Sequence, residues 1–429
     1  MQVESWLARA ARTRPGTVAL RADDGALSYA ALDEAATRAA RCLSTLGVRP
    51  GDRVGIALPA RRAFVETLHG CLRLGAVAVP LDLRLTSAER EQRSAGCTAV
   101  ICEALCGLPD ERAPLRATHD LEATAIVVHT SGTTSGPRPV ELTYANWLWS
   151  ALGSATALGV DRQECWLCTL PLSHVGGLSI LLRNTITATT VVLHDGFDAR
   201  AAAAEIATGG VTLVSVVPTT LARLLDAGLS HPPALRAALV GGGPIAPALL
   251  DRARAAGVPV VTTYGLTEAC SQVATGAGAL FCTRVRIAPG GEILVAGPTV
   301  APRAAAPDGW LHTGDLGALG ADGELRVTGR AADTIVTGGE NVAPAEVEEV
   351  LASHPAVAEV AVHGVPDAQW GERIVATIVL AAGASATASD LEGYCRVRIA
   401  RYKVPKVFRF SLELPRTGSG KLLRRDLEE

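Results

Sequence analysis

The chain has 429 residues, of which 40 are basic and 43 acidic, so its formal net charge is -3. The two signs are mixed along the sequence, and no long basic stripe indicates a nucleic acid or an anionic membrane as the partner. The length exceeds what one compact core usually serves, so we expect a large multi-lobed domain followed by a smaller one.

The apolar and cysteine patterns predict the compartment. The first residues carry charges among their apolar positions, unlike a secretory signal, and no uncharged apolar run reaches the roughly 18 residues that span a bilayer. Ten scattered cysteines are typical of reduced thiols in a cytosol. We therefore expect a cytoplasmic protein with no membrane insertion.

Strand and helix signals alternate along most of the chain. RVGIALP and AVAVPL are predicted strands between residues 53 and 81, and from residue 123 onward β-branched runs alternate with Ala/Leu-rich amphipathic stretches. This pattern is typical of repeated β-α units, so we predict an α/β fold with mainly parallel sheets flanked by helices. The single CxxC pair, Cys165 and Cys168, is predicted to be buried in a strand rather than to bind a metal.

The rhythm changes near residue 330, where a hairpin-like segment, a Gly-Gly loop, a helix and a strand follow one another quickly. Pro344 suits the first turn of that helix. We therefore predict an N-terminal domain over residues 1–329 and a small, mobile α+β domain over residues 330–429.

A hydroxyl-rich loop follows the predicted strand ATAIVVHT. Its hydroxyls and backbone amides suit phosphate oxygens, and it comprises Thr130, Ser131, Gly132, Thr133, Thr134, Ser135 and Gly136. The GxxxxGK[ST] phosphate loop is absent, which disfavours a GTPase-like or kinase-like protein. By itself the loop is equally well explained as a Ser/Thr-rich surface turn.

A second candidate site is the segment YGLTE. Tyr264 can stack on a purine, Thr267 can bond a phosphate oxygen, and Glu268 can hold a hard cation such as magnesium. The ordinary alternative is a strand-helix turn with a capping acid. Because this segment follows a predicted strand, it lies where ligand groups usually lie in open α/β sheets.

Two later residues complete the set of candidates. Asp315, beside a Gly turn, can accept both hydroxyls of a ribose, although an Asp there is also a common turn residue. Lys421 lies on a Gly-rich loop near the C-terminus. A lysine on such a loop is a candidate for delivery to an active site by loop or domain motion.

The motifs TSGTTSGPR, YGLTE, TGD, GRAAD, GGENVAPAEVE and PRTGSGK occur in this order. Together they resemble the superfamily of acyl- and aryl-CoA synthetases, peptide-synthetase adenylation domains and luciferases. The resemblance implies an AMP-forming acid-thiol ligase, which adenylates a carboxylic acid with ATP and Mg²⁺ and then transfers the acyl group to coenzyme A.

The resemblance also implies roles for individual residues. It gives the cofactor-binding set as Thr130, Ser131, Gly132, Thr133, Thr134, Arg138, Gly242, Gly243, Tyr264, Asp315, Arg330, Gly338 and Gly339. In this set Asp315 binds the ribose, Arg330 meets the nucleotide at the domain junction, and the two last glycines line the thiol channel.

The catalytic residues implied by the resemblance are Lys421, Thr267, Glu268 and His174. Lys421 matches the lysine of the adenylating conformation, Thr267 contacts phosphate, and Glu268 is the magnesium ligand. His174 matches a position near the acyl pocket and the thiol entry. A histidine beside glycines is equally well explained as a turn or helix-start residue.

The chain departs from the superfamily pattern at two positions. Arg138 and Pro139 stand where a lysine and a glycine are usual, so phosphate handling is expected to differ. Ala332 stands where Asp or Lys is frequent at the hinge. The segments 102–122 and 276–291 are also short for the superfamily, which predicts a trimmed substrate rim.

Within the superfamily, LPLSHVGGLSI, LVGGGPI and YGLTEACSQVAT resemble the o-succinylbenzoate:CoA ligases of menaquinone synthesis. The resemblance implies o-succinylbenzoate as the acid. Two other functions stay open: a stand-alone adenylation enzyme that loads another aryl or acyl acid onto a carrier protein, and a non-catalytic nucleotide-binding relative.

Overall fold

The computed structural model describes residues 1–105, 113, 115–130, 138–276, 278–337, 340–416 and 422–427. The α-helices of this part of the chain are α1 (Trp6–Thr13), α2 (Tyr29–Thr45), α3 (Arg62–Leu74), α4 (Ser87–Ser94), α5 (Tyr144–Leu158), α6 (Val175–Thr187), α7 (Ala199–Thr208), α8 (Pro218–Asp226), α9 (Pro247–Ala255), α10 (Pro344–Ala352) and α11 (Ala388–Arg396). Short 3-10 helices cover Thr267–Ala269, Ala331–Asp333, Arg401–Lys403 and Arg424–Leu427. No helix among these residues is long and apolar enough to cross a membrane.

The strands are numbered in the same way. They are β1 (Gln2–Glu4), β2 (Val18–Ala22), β3 (Gly25–Ser28), β4 (Arg53–Ile56), β5 (Val77–Pro80), β6 (Cys97–Ile101), β7 (Thr118–Asp120), β8 (Thr124–Thr130), β9 (Arg138–Thr143), β10 (Cys165–Cys168), β11 (Thr190–Leu193), β12 (Leu213–Val216), β13 (Ala237–Val240), β14 (Val260–Leu266), β15 (Ser271–Thr275), β16 (Gly278–Ala279), β17 (Arg284–Ile287), β18 (Glu292–Ala296), β19 (Leu311–Leu319), β20 (Leu325–Arg330), β21 (Ile335–Thr337), β22 (Glu340–Val342), β23 (Val357–Asp367), β24 (Gly371–Leu380) and β25 (Val407–Phe410).

The chain divides into two compact units. The first comprises Met1–Gly241, Ala253–Arg284 and Val295–Leu311, and the second comprises Gly242–Arg252, Val285–Leu294 and His312–Glu429. The predicted boundary between residues 329 and 330 stays a prediction, because compactness alone does not locate a hinge.

The first unit contains two large, mainly parallel sheets. One has five strands in the order β6-β4-β5-β8-β9, and the other has nine in the order β16-β15-β14-β13-β12-β10-β11-β2-β3. The run β14-β13-β12-β10-β11-β2 is parallel throughout, as are the neighbours of β4. The predicted α/β fold is therefore confirmed. Cys165 and Cys168 are buried in β10, as predicted.

Close packing in the first unit depends on small residues as well as large ones. Helix α2 begins after Ser28, whose side chain accepts a hydrogen bond from the backbone N of Ala31. A Cβ added at Gly70 of α3 would lie 2.7 Å from the Cβ of Ala39. The two helices can therefore approach closely only because Gly70 has no side chain. Tyr29, 1% exposed, anchors the core below them.

The second unit is of α+β type, as predicted. A sheet in the order β22-β21-β24-β23, with β25 parallel to β24, packs with α10 and α11 around a small apolar core. Helix α10 begins at Pro344, which needs no backbone N–H donor there. A separate four-stranded sheet has the order β17-β18-β19-β20.

Candidate active site

The two ends of the hydroxyl-rich loop lie on paired strands. Thr130 ends β8 and Arg138 begins β9, and these residues are opposite each other in an antiparallel register. The hydroxyl of Thr130 donates to the carbonyl of Arg138 at 3.4 Å. Ser131, Gly132, Thr133 and Thr134 lie outside the described residues. The residues on either side of the loop are therefore paired with each other.

The segment YGLTE forms a tight reversal between β14 and β15, which are antiparallel. A Cβ added at Gly265 would lie 1.8 Å from the carbonyl oxygen of Ser271, so only glycine fits there. Cys270 and Ser271 have positive φ angles of 51° and 91°. Glu268 lies in the 3-10 helix Thr267–Ala269, which connects the two strands, so a short helical turn does follow β14 but no longer helix does.

Thr267 and Glu268 project from this reversal with unused polar groups. Within the described residues, neither side chain has a hydrogen bond or ion pair. The backbone of Glu268 is nevertheless anchored, because its carbonyl accepts from the N of Ala301 at 2.8 Å. Glu268 therefore has a fixed backbone and a carboxylate that is available to bind a cation.

No cluster of three or more His, Cys, Asp or Glu side chains able to hold a metal ion occurs in the part of the chain that the structure describes. Magnesium usually binds proteins through one or two carboxylates together with substrate phosphates and water. A single available carboxylate at Glu268 therefore fits a magnesium ion that arrives with a nucleotide.

The predicted adenine border follows β13. A Cβ added at Gly241 would lie 2.5 Å from the carbonyl oxygen of Thr263, so this glycine allows close approach of the chain to β14. Gly242 has a φ angle of 80°, which favours glycine, and a Cβ added at Gly243 would meet no atom within 4 Å. Tyr264 is half-buried on β14.

His174 lies at the N-cap of α6. Its Nε2 is 4.0 Å from Oδ2 of Asp82, and Asp82 is in turn paired with Arg84 at 2.5 Å. Burial lowers the pKa of His174, and the carboxylate of Asp82 only partly opposes this effect. The imidazole is therefore neutral at pH 7. In this form one ring nitrogen can accept a proton and the other can donate a hydrogen bond.

Further along α6, Arg183 is only 5% exposed. Its Nη2 donates to the hydroxyls of Ser150 and Ser271, at 3.2 and 3.3 Å, and the hydroxyl of Ser179 is 3.4 Å from that of Ser271. Its Cζ lies 5.7 Å from the ring centroid of Trp166. The arginine is thus held by hydroxyls and an aromatic face.

Nothing negative balances this arginine within the described residues, and its Nε has no hydrogen-bond partner there. Burial lowers the pKa of Arg183 to about 10, so it stays charged at neutral pH. A buried cation without a counter-ion is costly to fold. Arg183 is therefore a candidate to bind an anionic ligand.

Asp315, the acid predicted to bind the ribose, lies in the second unit and is also buried. Asp315 is 6% exposed on β19 and lies opposite Arg330 of β20. The Nε of Arg330 donates to Oδ1 of Asp315 at 2.8 Å. Ala332 lies in the 3-10 helix that follows β20. Gly338, Gly339 and Lys421 lie outside the described residues.

Comparison with known protein families decides the membership of the chain. Residues 7–303 match the AMP-binding enzyme family, and residues 346–421 match the AMP-binding enzyme C-terminal domain. The chain belongs to the AMP-binding enzyme family. The resemblance of its motifs to adenylate-forming enzymes is thereby confirmed.

Individual AMP-binding enzymes are similar over the whole chain. A 2-succinylbenzoate--CoA ligase of Bacillus subtilis (strain 168) is 38% identical, covering 99% of this chain and 97% of that protein. One from Geobacillus sp. (strain WCH70) is 36% identical, covering 100% and 97%. These relatives confirm the resemblance to the o-succinylbenzoate:CoA ligase subgroup.

A solved structure agrees with these similarities. The o-succinylbenzoate CoA synthetase (MenE) of Bacillus subtilis, in complex with ATP and magnesium ion, matches with a TM-score of 0.93 and 36% identity, covering 100% of both chains. The same enzyme in complex with the acyl-adenylate intermediate OSB-AMP also gives a TM-score of 0.93. The fold predicted for the superfamily is confirmed.

Sequence reasoning about this AMP-binding enzyme missed Arg183. The only available signal was a charged residue inside the apolar run LSILLRNTI. Such an arginine on an amphipathic helix usually reaches solvent, so burial could not be predicted from the pattern. The structure brings Arg183 together with Ser271, which lies in the motif YGLTEACSQVAT.

Proposed function

We propose that this protein ligates o-succinylbenzoate to coenzyme A, with ATP converted to AMP and pyrophosphate, in menaquinone synthesis. The family membership and the high-coverage similarity to 2-succinylbenzoate--CoA ligases support this activity. The reaction has two steps: the acid is first adenylated, and the acyl group then passes to a thiol.

The buried guanidinium of Arg183 is the observation that carries the choice of acid. o-Succinylbenzoate has two carboxylates, and only one is activated, so the other stays anionic throughout the reaction. Arg183 together with the hydroxyls of Ser271 and Ser179 provides a charged donor set for that second carboxylate. A monocarboxylic acid would leave the buried arginine without a counter-ion.

The nucleotide is assigned to the residues at the strand ends. The loop from Thr130 to Thr134, with Arg138, binds the phosphates, and Tyr264 with Gly242 and Gly243 borders the adenine. Thr267 bonds a phosphate oxygen, and Asp315 accepts the ribose hydroxyls beside Arg330. Glu268 holds the magnesium ion, which neutralises charge on the phosphates.

In the first step, a carboxylate oxygen forms a bond to the α-phosphorus of ATP as the bond to pyrophosphate breaks. Lys421 stabilises the charge that develops on the carboxylate and the phosphate. We place a hinge between residues 329 and 330, which moves Lys421 away after adenylation.

In the second step, the thiolate sulfur of coenzyme A attacks the acyl carbon, and AMP leaves. Gly338 and Gly339 line the channel for the thiol. His174, neutral at pH 7, lies on the acyl side, where it can take up the proton of the thiol. The protein mainly supplies position and charge for both steps.

We propose the cytoplasm as the compartment, because ATP and coenzyme A are available there. The cysteines that the structure describes are all free thiols, which suits a reducing compartment.

An acid panel in a pyrophosphate-release assay tests the proposal. We expect o-succinylbenzoate to outperform benzoate, short fatty acids, amino acids and both of its own monomethyl esters. Saturable product formation with free coenzyme A is expected in the same reactions. A preference for any other acid would overturn the substrate assignment, and turnover only with a carrier protein would overturn the acceptor.

A further inference from the structure

Asp315 follows a local turn of the backbone within β19, at His312–Gly314, and this turn is held by a carboxylate from the neighbouring strand. Glu292 begins β18, and its Oε1 accepts a hydrogen bond from the backbone N of Gly314 at 3.0 Å. Its Oε2 lies 3.1 Å from Nδ1 of His312. One carboxylate therefore contacts the turn on both sides of Thr313.

The residue after Glu292 completes the attachment. The hydroxyl of Thr313 donates to the carbonyl of Ile293 at 2.7 Å and accepts from the backbone N of Asp315 at 3.0 Å. Gly314 has a φ angle of 68°, a conformation that other residues rarely adopt. The conformation of the turn is thus set by contacts of residues 312–314, which precede Asp315 in the chain.

The orientation of the Asp315 side chain depends on the conformation of this turn. Its carboxylate is buried and already accepts from the Nε of Arg330, so a small rotation of the backbone before it would disturb this hydrogen bond as well as the direction of the carboxylate. A group that must accept two hydroxyls is sensitive to displacements well below 1 Å, roughly the tolerance of a preorganised site. Glu292 itself is half-buried at the edge of this turn.

We propose that Glu292 is a positioning residue: it orients Asp315 toward the ribose of the nucleotide through residues His312–Gly314 at the start of β19. This inference rests on the proposed function, which assigns Asp315 to the ribose. It predicts that Glu292 matters only for nucleotides that have ribose hydroxyls.

A comparison of ATP with 2′,3′-dideoxy-ATP separates this role from general support of the fold. We expect Glu292→Ala to weaken ATP binding roughly tenfold, the scale of a hydrogen bond to a charged group. Binding of the dideoxy nucleotide should change less than about twofold on the same scale. Glu292→Gln keeps an acceptor for Gly314 and should restore most of the ATP affinity.

Glu324→Ala is the matched control, because Glu324 forms its ion pair with Arg326 of β20, away from the turn. It should leave the binding of both nucleotides unchanged. Asp315→Asn tests the underlying assignment and should remove most of the preference for ATP over the dideoxy nucleotide.

Calorimetric titration of the full chain with each nucleotide, alongside thermal melting of every variant, decides the matter. If Asp315→Asn keeps the preference for ATP, the ribose assignment in the proposed function is wrong. If Asp315→Asn removes that preference while Glu292→Ala weakens both nucleotides equally or neither, the positioning role is overturned. Selective loss of ATP affinity in Glu292→Ala, with rescue by Glu292→Gln, supports it.

Discussion

Arg183 in the first unit and Asp315 in the second are both buried charges, at 5% and 6% exposure, yet they are balanced differently. Asp315 has Arg330 as an ion-pair partner within the fold. Among the described residues, Arg183 has only hydroxyl acceptors and an aromatic neighbour.

This difference has a consequence for ligand binding by the two residues. A charge that is already paired can exchange hydrogen bonds with a ligand, but it does not require the ligand to be charged. A buried charge without a counter-ion favours a ligand that supplies one and disfavours a ligand that does not. We therefore expect the acid specificity to come mainly from the first unit, and the nucleotide contacts of the second unit to add affinity.

The largest expected effect comes from Arg183→Met. It should lower kcat/KM for o-succinylbenzoate roughly a thousandfold, within the range for breaking a buried charge pair. Adenylation of benzoate should be unchanged or faster, because no cation is left unpaired. Steady-state pyrophosphate release with both acids measures this. Equal loss with both acids would contradict a role in specificity.

The same variant also tests the balance of charge directly. Because Arg183→Met removes a buried charge that lacks a counter-ion, its melting temperature should stay equal or rise. Asp315→Asn should instead lower the melting temperature, because it leaves Arg330 without its carboxylate. Changes of the same sign in both variants would remove the distinction between the two sites.

Lys421→Ala should affect only one half-reaction. We expect acyl-AMP formation to fall roughly a hundredfold, the scale of losing one electrostatic group aimed at the transition state. Supplied acyl-AMP should still be converted to the coenzyme A thioester. Single-turnover assays of each step measure this, and equal losses would argue that Lys421 only supports the fold.

Glu268→Gln should raise the magnesium concentration needed for half-maximal activity by at least roughly tenfold, since changes even in the outer shell of a metal site have this effect. The neutral amide is a poorer ligand for a hard cation. Glu122→Gln, at an exposed turn of the same unit, is a suitable control. An unchanged magnesium dependence would refute the metal role.

The smallest expected effect is on stability in acid. Burial lowers the pKa of His69 to about 4 and that of His119 to about 3. Well above the unfolded pKa of about 6.5, both histidines are neutral in the folded and unfolded states, so pH has little effect through them. As the pH falls below 6.5, only the unfolded state takes up these protons, so stability is lost.

Between pH 6.5 and 5 this loss amounts to about 2 kcal/mol per histidine. Urea unfolding at pH 7 and at pH 5 measures it. His69→Gln should flatten the pH dependence by about half, because the hydrogen bond to Thr185 can be kept while the titrating group is removed. The same dependence in wild type and variant would show that other groups are responsible.

Local sequence patterns predicted the type of many helices and strands and the positions of the motifs. The alternation of β-branched and Ala/Leu-rich runs predicted the parallel sheets, and Pro344 predicted the start of α10, because both depend on residues close in sequence. Thr267, Glu268 and Asp315 were candidates from their local sequence, and the order of the motifs predicted the family.

The same patterns did not predict the form of the YGLTE segment. Its antiparallel reversal depends on Gly265 lying against the carbonyl of Ser271, a contact that the two strands create only when they pair. The support of the Asp315 turn by Glu292 was likewise invisible, because the two residues lie on different strands.

What the amino-acid order settles is therefore local periodicity, turn chemistry and family membership. What only the folded chain decides is which charges are buried and which are balanced. Arg183 shows the reason. The sequence gives its charge, but its burial and the absence of a carboxylate neighbour among the described residues depend on which helices and strands pack around α6. The free energy of a buried charge is set by those non-local neighbours, so no local pattern predicts it.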